Sequence, residues 1–149
     1  LVVRAKHGEL QHWASSNDGL MALVILLDQI TRNIYRGTPA AFSGDPAALA
    51  LAQQCIDAER HLNLPAIHQV FLFLPLEHAE DITIQRRCVD LFRALERRNT
   101  HPSIPGFTRF AVAHRDVVEQ FGRFPHRNAI LDRVSTPAEV EHMQRHSGF

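Results

Sequence analysis

The sequence is poor in lysine and has no long hydrophobic run, and each scarcity excludes a class of protein. Lys6 is the only lysine among 16 basic residues, which 16 acidic residues balance to a net charge of zero. A neutral chain lacks the electrostatic field that steers proteins to nucleic acid or to anionic lipid, so we expect neither partner. The longest apolar run, residues 20–27, is too short to cross a bilayer.

Cysteine is equally scarce, since Cys55 and Cys88 are the only two in the chain. Both fall in stretches with helical periodicity, whereas a disulfide framework places its cysteines in loops. We therefore interpret both as small hydrophobic core residues. Free thiols of this kind favour a reducing, cytoplasmic location.

The rest of the composition is typical of a single globular domain. The chain of 149 residues is 45% hydrophobic and 21% charged, which indicates neither a disordered nor a membrane protein. A chain of this length buries roughly 70% of its unfolded surface, so a stable core needs no disulfide or metal. We predict one domain over residues 1–149.

Hydrophobic residues recur with a period of 3.6 and nowhere alternate over a useful length, which predicts an all-α fold. The clearest stretch is residues 107–121, where apolar residues and His114 share one face and Gly122 supplies a C-terminal cap. The apolar run at residues 70–74, which Pro75 must kink or end, predicts a buried central helix.

Start and stop signals divide the remaining chain into further helices. Asp18 and Gly37 delimit one helix, Asp45 is the predicted N-cap of another that continues to about Leu62, and residues 136–139 spell a capping box. We expect six or seven helices, packed as antiparallel hairpins because their connections are short. The other stretches predict a loop at residues 99–106 and a helix that turns Cys88, Val89, Phe92 and Leu95 inward.

Charged residues recur in two places with spacings that could form a site. Asp28, Arg32 and Arg36 are four residues apart, so one line of a helix presents a carboxylate and two guanidinium groups beside an apolar face. Residues 122–128 place three cationic or titratable side chains around a proline. Arginine suits the bidentate recognition of carboxylate and phosphate.

Three segments of the sequence resemble a known bacterial family. They are LLDQITRNIYRGTPAAF at residues 26–42, FLFLPLEHAED at residues 71–81 and HRDVVEQFGRFPHRNAILDRVSTPAE at residues 114–139. These segments look like the family catalogued as domain of unknown function 924. The resemblance implies an all-helical, tetratricopeptide-like array of hairpins, but no activity, because none is assigned to the family. Its members also carry an aromatic-rich N-terminal segment that this sequence lacks.

We expect the polar residues of these segments to meet at one pocket formed by helix ends. Ionisable side chains beside apolar faces are costly unless they pair, and a shared site lets them pair. Arginine and histidine in such a site favour a small anionic molecule or the acidic group of a peptide, bound without a cofactor. The predicted ligand-binding residues are Asp28, Arg32, Asn33, Arg36, His78, Glu80, Asp81, His114, Arg115, Arg123, His126, Arg127 and Asn128.

Two other interpretations of the same residues stay open. One is an acid/base hydrolase, with Asp28, Asp81 or Asp116 as the base, a site histidine as the proton donor and arginines that stabilise a developing anion. The other is purely structural, with the same groups capping helix ends and pairing with one another. No motif for a nucleophile is present, so we favour the binding module.

Metal binding is a weaker signal. His142 and His146 lie one helical turn apart, a spacing that can bind zinc, but the sequence has no His-Glu-x-x-His motif and no cysteine pair. We predict no metal site and interpret both histidines as exposed residues of the last helix.

Overall fold

The computed structural model describes residues 1–146 as an all-helical chain, with no strand among these residues. The α-helical segments are α1 Val2–Lys6, α2 Asn17–Ile25, α3 Thr31–Ile34, α4 Asp45–Asp57, α5 Ala66–Glu77, α6 Ile82–Arg98, α7 Ile104–Phe121 and α8 Pro137–Arg145. The π-helical turn Leu26–Ile30 joins α2 to α3 without a break, so residues 1–146 form seven helices. The predicted fold class is confirmed. Short 3-10 turns lie at Gln11–Ser15, Pro39–Phe42, Arg60–Asn63 and Pro125–Arg127.

Helix α5 lies at the centre of the core, where it packs against α2, α4, α6 and α7. Val70, Leu72 and Phe73 are fully buried, and Phe73 meets Phe92 of α6 edge to face with ring centroids 5.3 Å apart. Pro75 lies in the last turn of α5, which ends two residues later at Glu77. The buried central helix is therefore confirmed, because apolar residues occupy most of its circumference.

Helices that follow one another in the sequence also pack together, α4 on α5, α5 on α6 and, most extensively, α6 on α7. The predicted tetratricopeptide-like character of this order stays a prediction. None of the described helices is both long enough and apolar enough to span a bilayer. Helix α6 turns Cys88, Val89, Phe92 and Leu95 into the core, as predicted.

Side-chain caps set the starts of three helices, α2, α6 and α8. The predicted capping box is present, since the Thr136 hydroxyl accepts a hydrogen bond from the Glu139 N–H at 3.2 Å and the Glu139 carboxylate accepts one from the Thr136 N–H at 2.8 Å. The start predicted at Asp18 is wrong by one residue. Helix α2 begins earlier because the Ser16 hydroxyl caps it by accepting from the Gly19 N–H.

Two other predicted boundaries are wrong. Helix α4 ends before Leu62, because Glu59 adopts a left-handed conformation with φ of 54° that interrupts the helix. The predicted loop at residues 99–106 ends early, and α7 already begins at Ile104. Pro105 fits this first turn because its missing N–H would have no partner within the helix.

Candidate functional site

A π turn in the first long helix sets the position of the site. The Thr31 hydroxyl donates to the Leu26 carbonyl at 2.8 Å across this wider turn. The extra residue shifts the phase of the helix, and Asp28 within the turn lies inside the protein with its side chain 1% exposed. Single π turns are frequent at functional sites, so Asp28 is a candidate on structural grounds as well.

Gly44 brings the start of α4 against this π turn. A Cβ at Gly44 would overlap the backbone carbonyl of Leu27, so only glycine allows the two segments to approach this closely. The predicted N-cap role of Asp45 is wrong, because Gly44 occupies that position and Asp45 makes no capping hydrogen bond. The Asp45 carboxylate instead accepts from Nη2 of Arg32 at 2.6 Å.

The carboxylate of Asp28 is almost fully buried and has three partners. Its carboxylate lies 2.7 Å from Nδ1 of His78, 3.3 Å from Nε of Arg32 and 2.6 Å from Nε2 of Gln29. Burial alone would raise the pKa of Asp28, but the hydrogen bond and charge of His78, together with Arg32, hold it below its usual value. Asp28 is therefore an ionised, fully partnered carboxylate.

Arg127 brings the late basic stretch to the same place. Its guanidinium lies 4.8 Å from the Phe42 ring centroid and 4.7 Å from that of Phe124, and its Nη2 donates to the His78 carbonyl at 2.8 Å. Nη1 lies 3.8 Å from Oδ2 of Asp45, which is an ion pair but too long for a hydrogen bond. The early charged row and the late basic stretch are thus neighbours.

Arg127 is deeply buried yet incompletely partnered. Its side chain is 7% exposed, and its Nε has no hydrogen-bond partner within residues 1–146. Burial and the charge of Arg32 lower the pKa of Arg127 to about 10, so the guanidinium stays positive at neutral pH. A buried charged donor without a partner is unfavourable, which marks this position as unusual.

An open groove of about 300 Å³ lies beside Arg127. The polar side of its wall includes Asp45, whose Oδ1 is also buried and has no hydrogen-bond partner in the described part of the chain. We call Asp28, Arg32, Asp45, His78 and Arg127 the groove cluster. The remaining wall is formed by Pro46, Leu49, Pro75, Ala79, Glu80, Asp81 and Ile84.

A second titratable pair, Glu77 and His114, lies next to the groove cluster. Oε1 of Glu77 is 3.2 Å from Nδ1 of His114, whose ring lies 6.4 Å from that of His78 and 5.5 Å from that of Phe124. Burial, with the charge of Asp28, raises the pKa of Glu77 to about 8. Burial likewise lowers the pKa of His114 to about 4. At neutral pH the pair is therefore a protonated carboxyl beside a neutral imidazole.

A second network of polar residues meets the groove at Glu80. We call this network the C-terminal clamp, made of Glu80, Arg123, Asn128, Arg133 and Glu139. Glu80 accepts two hydrogen bonds from Arg133, at 2.6 and 2.8 Å, and one from the backbone N–H of Phe124 at 2.7 Å. These bonds and the charge of Arg133 keep the pKa of Glu80 below its usual value although burial opposes them. The clamp thereby ties the turn after α5 to the C-terminal segment.

Glu139 completes the clamp at α8. Its carboxylate accepts two hydrogen bonds from Arg123, at 2.7 and 2.9 Å, and one from Asn128 at 3.3 Å. The hydrogen bonds from Arg123 lower the pKa of Glu139 to about 2. The Asn128 amide oxygen in turn accepts from Nε of Arg133 at 2.9 Å. Every residue of the clamp is therefore joined to at least one other by a hydrogen bond.

The predicted ligand-binding residues consequently separate into three groups. Asp28, Arg32, His78 and Arg127 belong to the groove cluster, in which His78 and Arg127 line the groove, and His114 lies beside them. Glu80, Arg123 and Asn128 belong to the clamp. In the third group, Asn33, Arg36 and His126 are exposed, and Arg115 pairs with neighbouring Asp116. Asp81 caps α6 and also lines the groove.

Sequence reasoning missed four charged residues of these networks. Local signals identify Asp45 and Glu139 only as helix-start residues and assign no role to Glu77 or Arg133. The signal for Glu77 was available, since it precedes His78 in the second family-like segment. No spacing rule identifies Arg133, because its partner Glu80 is 53 residues away.

Metal ligands are not grouped in the described part of the chain, where no three His, Cys, Asp or Glu side chains could hold a metal ion. His142 is half-buried and not exposed as predicted, since its ring packs 5.1 Å from that of Phe121; His146 is exposed. The two histidine rings lie 4.6 Å apart.

Comparison with known proteins agrees with the resemblance seen in the sequence. The family model described as a bacterial protein of unknown function, DUF924, matches residues 1–147. A solved structure, the protein of unknown function ATU0120 from Agrobacterium tumefaciens, is 37% identical with a TM-score of 0.87, and the alignment covers 97% of this chain and 78% of that one. No curated protein matches the sequence. The chain therefore belongs to the bacterial family of unknown function DUF924.

Proposed function

We propose that the protein is a binding module whose groove takes a small anionic molecule. The observation that carries this proposal is Arg127, a buried guanidinium whose Nε has no hydrogen-bond partner among the described residues. Its Nη2 donates to the His78 carbonyl, and its Nη1 makes only a loose ion pair with Asp45. A volume of about 300 Å³ is at the lower end of small-molecule sites. It suits a small acid better than a folded peptide segment.

The surroundings of Arg127 favour it as the anion-binding donor. Phe42 and Phe124 hold the planar guanidinium between two rings, which fixes its orientation before a ligand arrives. An immobilised arginine loses little side-chain entropy on binding, and its N–H groups match a carboxylate or phosphate in bidentate fashion.

Arg32 is a weaker candidate for the same role. Its Nε and Nη2 already donate to Asp28 and Asp45, so an anion would have to displace a carboxylate. Arg32 instead serves as a partner of the two acids, whereas Arg127 keeps an Nε that no described residue engages.

The test is a calorimetric titration of the protein with inorganic phosphate and with a panel of small carboxylic acids. We expect Arg127→Gln to weaken binding by at least about tenfold, because a charge-assisted hydrogen bond pair is lost. Arg36→Gln is the matched control, since Arg36 is exposed and away from the groove, and it should bind like the wild type. Undiminished affinity in folded Arg127→Gln would contradict the proposal.

An acid/base enzyme is the second candidate, and the Glu77–His114 pair is the observation that favours it. Two adjacent groups, 3.2 Å apart and with pKa values displaced in opposite directions, are a common arrangement in catalytic sites. Glu77 would hold a proton at neutral pH and could deliver it to a substrate.

A screen of phosphoester, ester and amide substrates tests this second candidate. Turnover that is lost in Glu77→Gln and in His114→Ala but kept in Glu119→Gln, which alters an exposed glutamate, would support it. Absence of turnover in the wild type, or turnover that survives Glu77→Gln, would count against an acid/base role for the pair.

A further inference from the structure

Two residues that line the groove each carry a buried polar atom without a hydrogen bond within residues 1–146, and the two atoms are of opposite kinds. Nε of Arg127 is a donor and Oδ1 of Asp45 is an acceptor. The two residues face each other, with Nη1 and Oδ2 at 3.8 Å. A ligand that satisfies both must therefore offer an acceptor and a donor close together.

A simple anion meets only half of this requirement. Its oxygen atoms accept from Arg127, but they also approach the carboxylate of Asp45, and two like charges at such a distance repel each other. A hydroxyl or amino group beside the anionic group offsets the repulsion from Asp45, because it donates a hydrogen bond to Oδ1 of Asp45, which otherwise has no partner among the described residues.

We propose that the ligand of the groove is a small carboxylic acid with a hydroxyl or amino group on the carbon next to the carboxylate. This inference rests on the proposed anion-binding function. The carboxylate pairs with Arg127, and the neighbouring donor binds Asp45. Pro46, Leu49 and Pro75 supply an apolar wall for the carbon chain of such an acid.

Three acids that differ only at the second carbon test the inference: 4-methylpentanoate, 2-hydroxy-4-methylpentanoate and leucine. We expect at least one donor-bearing acid to bind the wild type about tenfold or more tightly than 4-methylpentanoate, because only it satisfies Asp45. In Asp45→Asn the preference should fall below about threefold, mainly because the plain acid binds more tightly once the repelling charge is gone.

The outcomes separate the inference from the proposed function. Equal affinity for all three acids in the wild type, abolished by Arg127→Gln, would overturn the inference and leave anion binding intact. If neither phosphate nor any of the three acids binds, both the inference and the proposed function are overturned. The comparison of acids in the wild type needs no variant, and circular dichroism of Asp45→Asn checks that loss of its bond to Arg32 has not unfolded the protein.

Discussion

The C-terminal clamp and the groove cluster are built from the same residue types but differ in how completely those residues bind one another. In the clamp, Glu80 and Glu139 each accept hydrogen bonds from an arginine fork and from a backbone N–H. In the groove cluster, buried atoms of Arg127 and Asp45 have no such partner within the described residues. Arginine and carboxylate content alone therefore does not indicate a site.

This difference has a physical meaning. A buried charge costs free energy unless hydrogen bonds replace its hydration, so a complete network is compatible with a structural role. An incomplete one lowers stability, and proteins commonly retain such positions where function requires them. We accordingly propose that the clamp stabilises the fold and that the groove cluster binds a ligand.

The largest effect is expected where the groove depends on backbone packing. Gly44→Ala should lower the free energy of unfolding by about 3 to 4 kcal/mol, because the new Cβ overlaps the Leu27 carbonyl and must push α4 away from the π turn. Urea denaturation measures this loss. Gly106→Ala is the control, since its Cβ meets only the Arg109 side chain at 3.8 Å, and it should keep or raise stability.

The clamp should be the next most sensitive region. Arg133→Met leaves Glu80 without its arginine partner, so we expect a loss of about 3 kcal/mol in the same urea assay. Arg86→Met breaks the exposed ion pair with Glu119 and should not change the unfolding midpoint measurably. An Arg133→Met protein as stable as the wild type would show that the clamp is not structural.

The Glu77–His114 pair predicts a pH dependence of intermediate size. Glu77 is protonated in the folded state up to a pKa of about 8 but ionised above about pH 4.5 when unfolded, so the folded state binds more protons in this window and stability falls as pH rises. His114 has the opposite sign, since its contribution is present above pH 6.5 and is lost as pH falls toward 4. Between pH 6.5 and 8 the contribution of Glu77 therefore falls, whereas those of His114 and of His126, whose pKa burial also lowers to about 4, rise only slightly because an unfolded histidine is half-protonated at pH 6.5.

Unfolding free energies measured across that interval test the prediction. Relative to Glu77→Gln, the wild type should lose about 2 kcal/mol of stability from pH 6.5 to 8, because glutamine cannot ionise. Glu119→Gln, at an exposed site, should keep the wild-type slope. A slope unchanged by Glu77→Gln would mean that Glu77 is ionised in the folded protein.

Much of the fold could be predicted because periodicity and caps are local. The pattern of α6 and α7 follows directly from apolar residues three and four apart, and the capping box at Thr136 depends on residues within one turn. Errors arose where packing overrides a local signal. Asp45 precedes a proline as N-caps often do, yet its carboxylate binds Arg32 because Gly44 brings the segments together.

The site was predictable only in part, because its geometry depends on contacts between segments that are distant in the sequence. Asp28, Arg32 and Arg36 have one spacing, but the π turn directs Asp28 inward while Arg36 stays exposed. The apolar pattern of residues 26–30 does not reveal a π turn. Arg123 and Arg127 are equally close to Pro125 in the sequence, and only their partners assign one to the clamp and the other to the groove.

A comparison of Arg127→Met with Arg133→Met tests the difference between the groove cluster and the C-terminal clamp most directly. Arg127→Met removes one hydrogen bond and a loose ion pair, but also a buried charge whose Nε lacks a hydrogen-bond partner within residues 1–146, so its free energy of unfolding should stay within about 1 kcal/mol of the wild type. Measured by urea denaturation beside Arg133→Met, it should be the more stable variant by about 2 kcal/mol or more. Equal losses in the two variants would contradict the account, because Arg127 would then be as fully engaged in the fold as Arg133.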